Sequence, residues 1–118
     1  VTDTADHPYS PAKRVGNHIY VSGALSVDRD YQPVASRREA LDAALERMTE
    51  RLATAGGELR HVVKLTYFVT DLTLREEANQ QFHNHFSEAR PARTFLEVSR
   101  LPYGSTVEID AIAYVGED

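Results

Sequence analysis

Pro91-Ala92-Arg93-Thr94-Phe95-Leu96-Glu97-Val98 and Val107-Glu108-Ile109-Asp110-Ala111-Ile112-Ala113 are two runs of strand-like composition. They are separated by a turn segment, Ser99 to Ser105, that contains Pro102 and Gly104. Alternation puts Arg93, Phe95 and Glu97 on one face of the first run and Thr94, Leu96 and Val98 on the other. In the second run Val107, Ile109, Ala111 and Ala113 share a face, and Glu108, Asp110 and Ile112 share the opposite one. Folded as a hairpin, the runs present one apolar or small face and one that mixes an arginine, carboxylates and bulky apolar groups. A cation and acids among apolar neighbours cost free energy unless they are paired or put to use. The chemistry is expected on that second face.

The rest of the chain supplies more strands and two helices. Gly16-Asn17 is a turn signal between an edge strand near Lys13 to Val15 and a strand at Ile19-Tyr20-Val21-Ser22-Gly23. Residues 26–35, with Asp28, Asp30 and Pro33, read as a surface loop. Ser36 followed by Glu39 has the form of a capping box. Leu41, Ala44, Leu45, Met48, Leu52 and Ala55 then recur at helical spacing up to Gly56-Gly57, with Arg37, Arg38, Asp42, Arg47, Glu50 and Arg51 on the other face. His61 to Val69 is rich in β-branched and aromatic residues, with Val63, Leu65, Tyr67 and Val69 on one face. A second helix from about Leu74 carries Ala78, Phe82 and Phe86 on its buried stripe and stops at Arg90-Pro91.

The order strand, strand, helix, strand, helix, strand, strand predicts an α+β domain: a mixed sheet with two helices on one face. The second face would carry Tyr20, Phe68, Phe95 and Ile112 beside Lys64, Arg93 and Glu108. A lone subunit would expose that patch, so a symmetric homo-oligomer with its site at the seam is expected.

At 118 residues the chain is read as a single domain, 1–118, with residues 1–8 as a loose leader. It contains no cysteine, which removes disulfides, zinc-thiolate sites and thiol nucleophiles and suits a reducing cytoplasm. No apolar run approaches the roughly 20 residues that span a bilayer, so no membrane partner is expected. The formal net charge of −5 argues against sequence-independent nucleic-acid binding. His83 and His85 are two apart on a helix and diverge, and His7, His18 and His61 lack ligand spacing, so no metal site is expected.

The chain resembles the reactive-intermediate deaminases, the Rid or YjgF-like proteins. The resemblance rests on an ordered set of segments: Pro8-Tyr9-Ser10, Gly16-Asn17, Val21-Ser22-Gly23, Ala55-Gly56, Val62-Val63-Lys64, Val69-Thr70-Asp71-Leu72, Asn79 with Phe82 and Phe86, Pro91-Ala92-Arg93-Thr94, Leu101-Pro102 and Val107 to Ala113. It implies a chorismate-mutase-like fold, a homotrimer with pockets at the subunit interfaces, and hydrolysis of enamines and imines such as 2-aminoacrylate to 2-keto acids and ammonia. It implies no cofactor. By the same resemblance Arg93 is the carboxylate anchor, a role suited to a guanidinium fork, and Glu108 holds the attacking water and shuttles its proton. Tyr9, Ser22 and Phe95 line the substrate pocket.

Phe95 stands where relatives often carry cysteine, Ala24 where they often carry glutamine, and the link from Phe86 to Pro91 is short. Two alternatives follow: a trimer that binds a carboxylate ligand without turnover, and a protein that processes one dedicated imine of a biosynthetic pathway. A third, RNA cleavage, is opposed by the acidic charge and by the lack of a histidine pair or metal cluster in the sequence.

Overall fold

Gly16, with φ of +60°, and Asn17 turn β1 (Ala12–Val15) back along β2 (His18–Leu25) in the computed structural model, which describes residues 7–116. The first six residues of the expected leader lie outside the described residues. Helix α1 (Arg37–Ala53) follows, then β3 (Val62–Val69), α2 (Arg75–His85), β4 (Ala92–Glu97) and β5 (Val107–Tyr114). The sheet order is β1-β2-β5-β3-β4; β3 and β4 are parallel and every other neighbouring pair is antiparallel. A parallel pair needs a long crossover, and α2 supplies it.

The α+β expectation, a mixed five-stranded sheet with two helices, is met. The hairpin is not. β5 inserts between β2 and β3, and β4 lies on the far side of β3 with Leu65 opposite Arg93 and Tyr67 opposite Phe95. Directly opposed residues share a face. Arg93 and Phe95 therefore lie on the helix-covered face with Leu65 and Tyr67, and only Tyr20, Phe68, Ile112, Lys64 and Glu108 remain of the set expected on the open one.

α1 packs on β2 and β5 and touches α2. Its stripe of Leu41, Ala44, Leu45, Met48 and Leu52 is buried against Ile19, Val21, Leu65, Ile109 and Ala111. Ser36 is the N-cap as expected, but its side chain makes no capping bond. Arg47 and Arg51, expected on the solvent face, are only 6% and 3% exposed. Two bulges correct the strand readings. Val62 and Lys64 oppose consecutive residues of β5, which buries Val62 and turns Val63 outward. A second, between Val21 and Ala24, displaces Ser22 and Gly23 from the ladder and returns Ala24 to the core.

Polar groups also hold the layers. Tyr67 donates its hydroxyl to Gln81 Oε1 at 2.8 Å, and Gln81 Nε2 donates to Asp42 at 2.9 Å, which ties β3, α2 and α1 together. The loop after β2 begins inside the protein, not on its surface: Ser26 is fully buried and its Oγ accepts the backbone N–H groups of Thr106 at 3.3 Å and Val107 at 3.1 Å. Ser26→Ala leaves those donors without this acceptor and should destabilise the fold by about 2 kcal/mol in urea unfolding.

Candidate active site

Arg93 leaves the edge strand β4 toward α2. Its Nη2 donates to Asn79 Oδ1 at 2.7 Å, and its Cζ lies 5.3, 5.1 and 5.2 Å from the ring centres of Tyr67, Phe82 and Phe95. Three rings and an amide thus fix the direction of a flexible side chain. Nη1 is buried and has no hydrogen-bond partner among the described residues. Burial pushes the guanidinium below its ordinary pKa, but an arginine in a protein stays cationic. Arg93 borders a recess of about 310 Å³ with Asn79, Phe82, His83 and Arg90. Asn79, one of the matched family positions, orients the cation, and Phe95 is one wall of its aromatic cage.

Glu108 alternates with the buried Val107 and Ile109 and so leaves β5 on the open face. It borders a separate cleft of about 550 Å³ with Tyr9, Ser22, Gly23, Arg51 and Tyr103 among its walls. A Cβ on Gly23 would come within 1.9 Å of Glu108 Oε2, so only glycine permits this approach of carboxylate to backbone. Burial pushes the Glu108 carboxyl above its ordinary range, Asp110 adds to the rise, and Arg51 opposes it. Ser22 donates its hydroxyl to the Ser10 carbonyl at 2.7 Å, and its backbone N–H donates to the Pro11 carbonyl at 3.0 Å. The hydroxyl thereby holds the segment that carries Tyr9, whose ring faces Arg51 Cζ at 5.6 Å.

Of the residues expected in the site, Tyr9, Ser22 and Glu108 share one cleft, and Arg93 and Phe95 meet elsewhere on the opposite side of the sheet. Sequence reading missed Arg47, Arg51, Tyr31 and Tyr103, which line the Glu108 cleft. The spacing of Arg47 and Arg51, one helical turn apart and each adjacent to the buried stripe, is the signal that could have found them. Nothing in the pattern marked the loop tyrosines. Among the described residues no group of His, Asp and Glu is arranged to hold a metal ion, and no helix is long and apolar enough to cross a membrane.

A family model described as Endoribonuclease L-PSP matches residues 2–115. The chain belongs to this family. It is the Rid or YjgF-like family that the ordered segments resemble. A RutC family protein of Pyrococcus abyssi is 37% identical over 109 residues, which are 91% of this chain and 86% of the relative. The human 2-iminobutanoate/2-iminopropanoate deaminase is 36% identical over 111 residues, 92% of this chain and 81% of that protein. Among solved structures, RidA from an Antarctic Psychrobacter superposes with a TM-score of 0.86 at 34% identity, covering 95% of this chain and 92% of that one. Rid-family membership accounts for the fold.

The electrostatics of the Glu108 cleft can be read directly by a carbon-13 NMR titration of the Glu108 carboxyl. Asp110→Asn should lower its midpoint and Arg51→Met should raise it, because one removes a repelling charge and the other an attracting one.

Proposed function

We propose that the protein is an enamine/imine deaminase whose site is completed between two copies of the chain. The observation that carries this reading is that Arg93 and Glu108 leave the sheet on opposite faces and border different recesses. One chain cannot bring them to one small substrate, but neighbouring copies can. The open sheet face supports an oligomer too: Phe68, Leu96 and Ile112 keep part of their surface there and Tyr20 is 47% exposed, an apolar patch that a second subunit would cover. The family resemblance supports a homotrimer as that assembly, and the human relative's name supports the substrate class.

In this reading Arg93 of one subunit receives the substrate carboxylate. Its caged guanidinium retains a buried Nη1–H group to donate. Glu108 of the neighbour holds a water against the C=N carbon. The water oxygen bonds to that carbon, the C=N π electrons move to nitrogen, and Glu108 takes a proton from the water and delivers it to the nitrogen. Glu108 then carries the carbinolamine's hydroxyl proton to the same nitrogen, and the oxygen's electrons form the C=O bond as the C–N bond breaks, which releases ammonia and leaves the 2-keto acid. A carboxyl whose pKa is raised by burial is suited to both halves of this proton transfer. Tyr9 and Ser22 bound the substrate on the Glu108 side, and Phe95 acts through Arg93.

Arg93→Ala and Glu108→Gln should each lower kcat/KM on 2-aminoacrylate by at least about 100-fold. Unfolding and refolding the two inactive variants together should restore roughly a quarter of the wild-type rate, because random mixing pairs an intact Arg93 with an intact neighbouring Glu108 in that fraction of seams. Wild type that hydrolyses neither 2-aminoacrylate nor bulkier imino acids would end the deaminase reading. A mixture that recovers nothing would end the shared site.

A further inference from the structure

Tyr31 and Tyr103 are the two non-glycine residues with positive φ among the described residues, at 61° and 62°. A bulky L-residue seldom adopts this conformation. Although distant in sequence, the two border the same cleft as Glu108, with ring centres 4.9 Å apart and planes inclined at 64°. Strained residues that converge on one cleft point to a use for the position of their side chains.

The surroundings hold Tyr31 in place. Arg47 stacks its guanidinium on the Tyr31 ring at 4.9 Å and donates to its hydroxyl at 2.8 Å, and His7 Nε2 lies 3.1 Å from the same hydroxyl. The backbone is held from below: Asp28 Oδ1 accepts the N–H groups of Asp30 at 2.8 Å and Gln32 at 3.0 Å, and Tyr31 N–H donates to the Asp28 carbonyl at 3.0 Å. His7 stacks in turn on Tyr9, with ring centres 4.7 Å apart and planes at 17°. The result is a continuous run of rings, Tyr9, His7, Tyr31 and Tyr103, along a cleft whose other apolar surface comes from Pro8, Leu25 and Pro102. Tyr103 closes the run and is 57% exposed, so core packing does not account for its strained backbone.

We propose that the Tyr31–Tyr103 pair selects imino acids with an aromatic side chain. This rests on the deaminase reading and assigns its substrate class. The cleft of about 550 Å³ is this chain's share of a site that a neighbouring copy would complete, and its ring-lined wall lies beside Glu108, where a substrate side chain would rest. Rings at fixed inclination favour a third ring set edge-to-face or offset against them, and an alkyl group gains no such geometry. The guanidiniums of Arg47 and Arg51 serve the wall, one on Tyr31 and the other on Tyr9 and the Gly23 carbonyl at 3.3 Å.

The test uses the full chain and imines made in place by an amino-acid oxidase from phenylalanine or from alanine, following keto-acid release above the spontaneous rate. Wild type should show the higher kcat/KM on the phenylalanine-derived imine. Tyr103→Gly should reduce the ratio of the two kcat/KM values about five- to tenfold and melt no lower than wild type, since glycine relieves the positive φ. Tyr103→Phe should keep the ratio. If the alanine-derived imine is hydrolysed but the aromatic one is not preferred, or if Tyr103→Gly leaves the ratio unchanged, the wall assignment is overturned and the deaminase reading stands. If neither imine is hydrolysed, the deaminase reading falls and calorimetry decides the wall. Tighter binding of phenylpyruvate than of pyruvate, lost in Tyr103→Gly, would support it, and equal binding would overturn it.

Discussion

The pairing of β4 with β3 is the constraint on which the site depends. Leu65 is a core residue, and Arg93 sits directly opposite it in a parallel ladder, so the guanidinium must leave the sheet on the helix side. Val107 and Ile109 are core residues on β5, so the carboxylate between them must leave on the other side. A shift of β4 by one residue would expel Phe95 from its place beside Tyr67 and strip Arg93 of its aromatic cage. Burial of Leu65, Tyr67 and Val69 therefore sets the separation of the two groups that the proposed chemistry would use.

Each half of the proposed site departs from what packing alone would favour. Arg93 carries a charge among rings and a buried donor. Glu108 carries a carboxyl into a cleft where burial and Asp110 both resist its ionisation. Gly23, in a β-bulge, makes room for that carboxyl, and Ser22 beside it ties down the segment bearing Tyr9. The bulge thus does two jobs: it keeps Ala24 in the core, and it opens the ladder where the acid and the tyrosine approach.

Much of this was legible beforehand. The α1 stripe, the Gly16-Asn17 turn and the alternation of β5 follow from periodicity and turn chemistry, because each reflects contacts within a few residues along the chain. The ordered family segments named Arg93 and Glu108. The partners of β4 and β5 were misread because two adjacent strands in sequence suggest a hairpin, whereas the α2 crossover delivers β4 in parallel to β3 and the turn near Pro102 carries the chain past β3 to the middle of the sheet. Arg47 and Arg51 were misread because a helical wheel ranks faces by polarity, and it cannot see tyrosines arriving from the segment before β1 and from a loop to cover an arginine.

By itself, the sequence determined the element types, the helix-covered core and the membership of the Rid family, since local spacing and ordered motifs carry those. Only the tertiary structure decided which face each site residue occupies and which rings surround it. Strand parity depends on pairing partners distant in the chain, and a one-residue difference in that pairing moves every side chain through the sheet. That is why Arg93 and Glu108, which alternation put on one face, are on two.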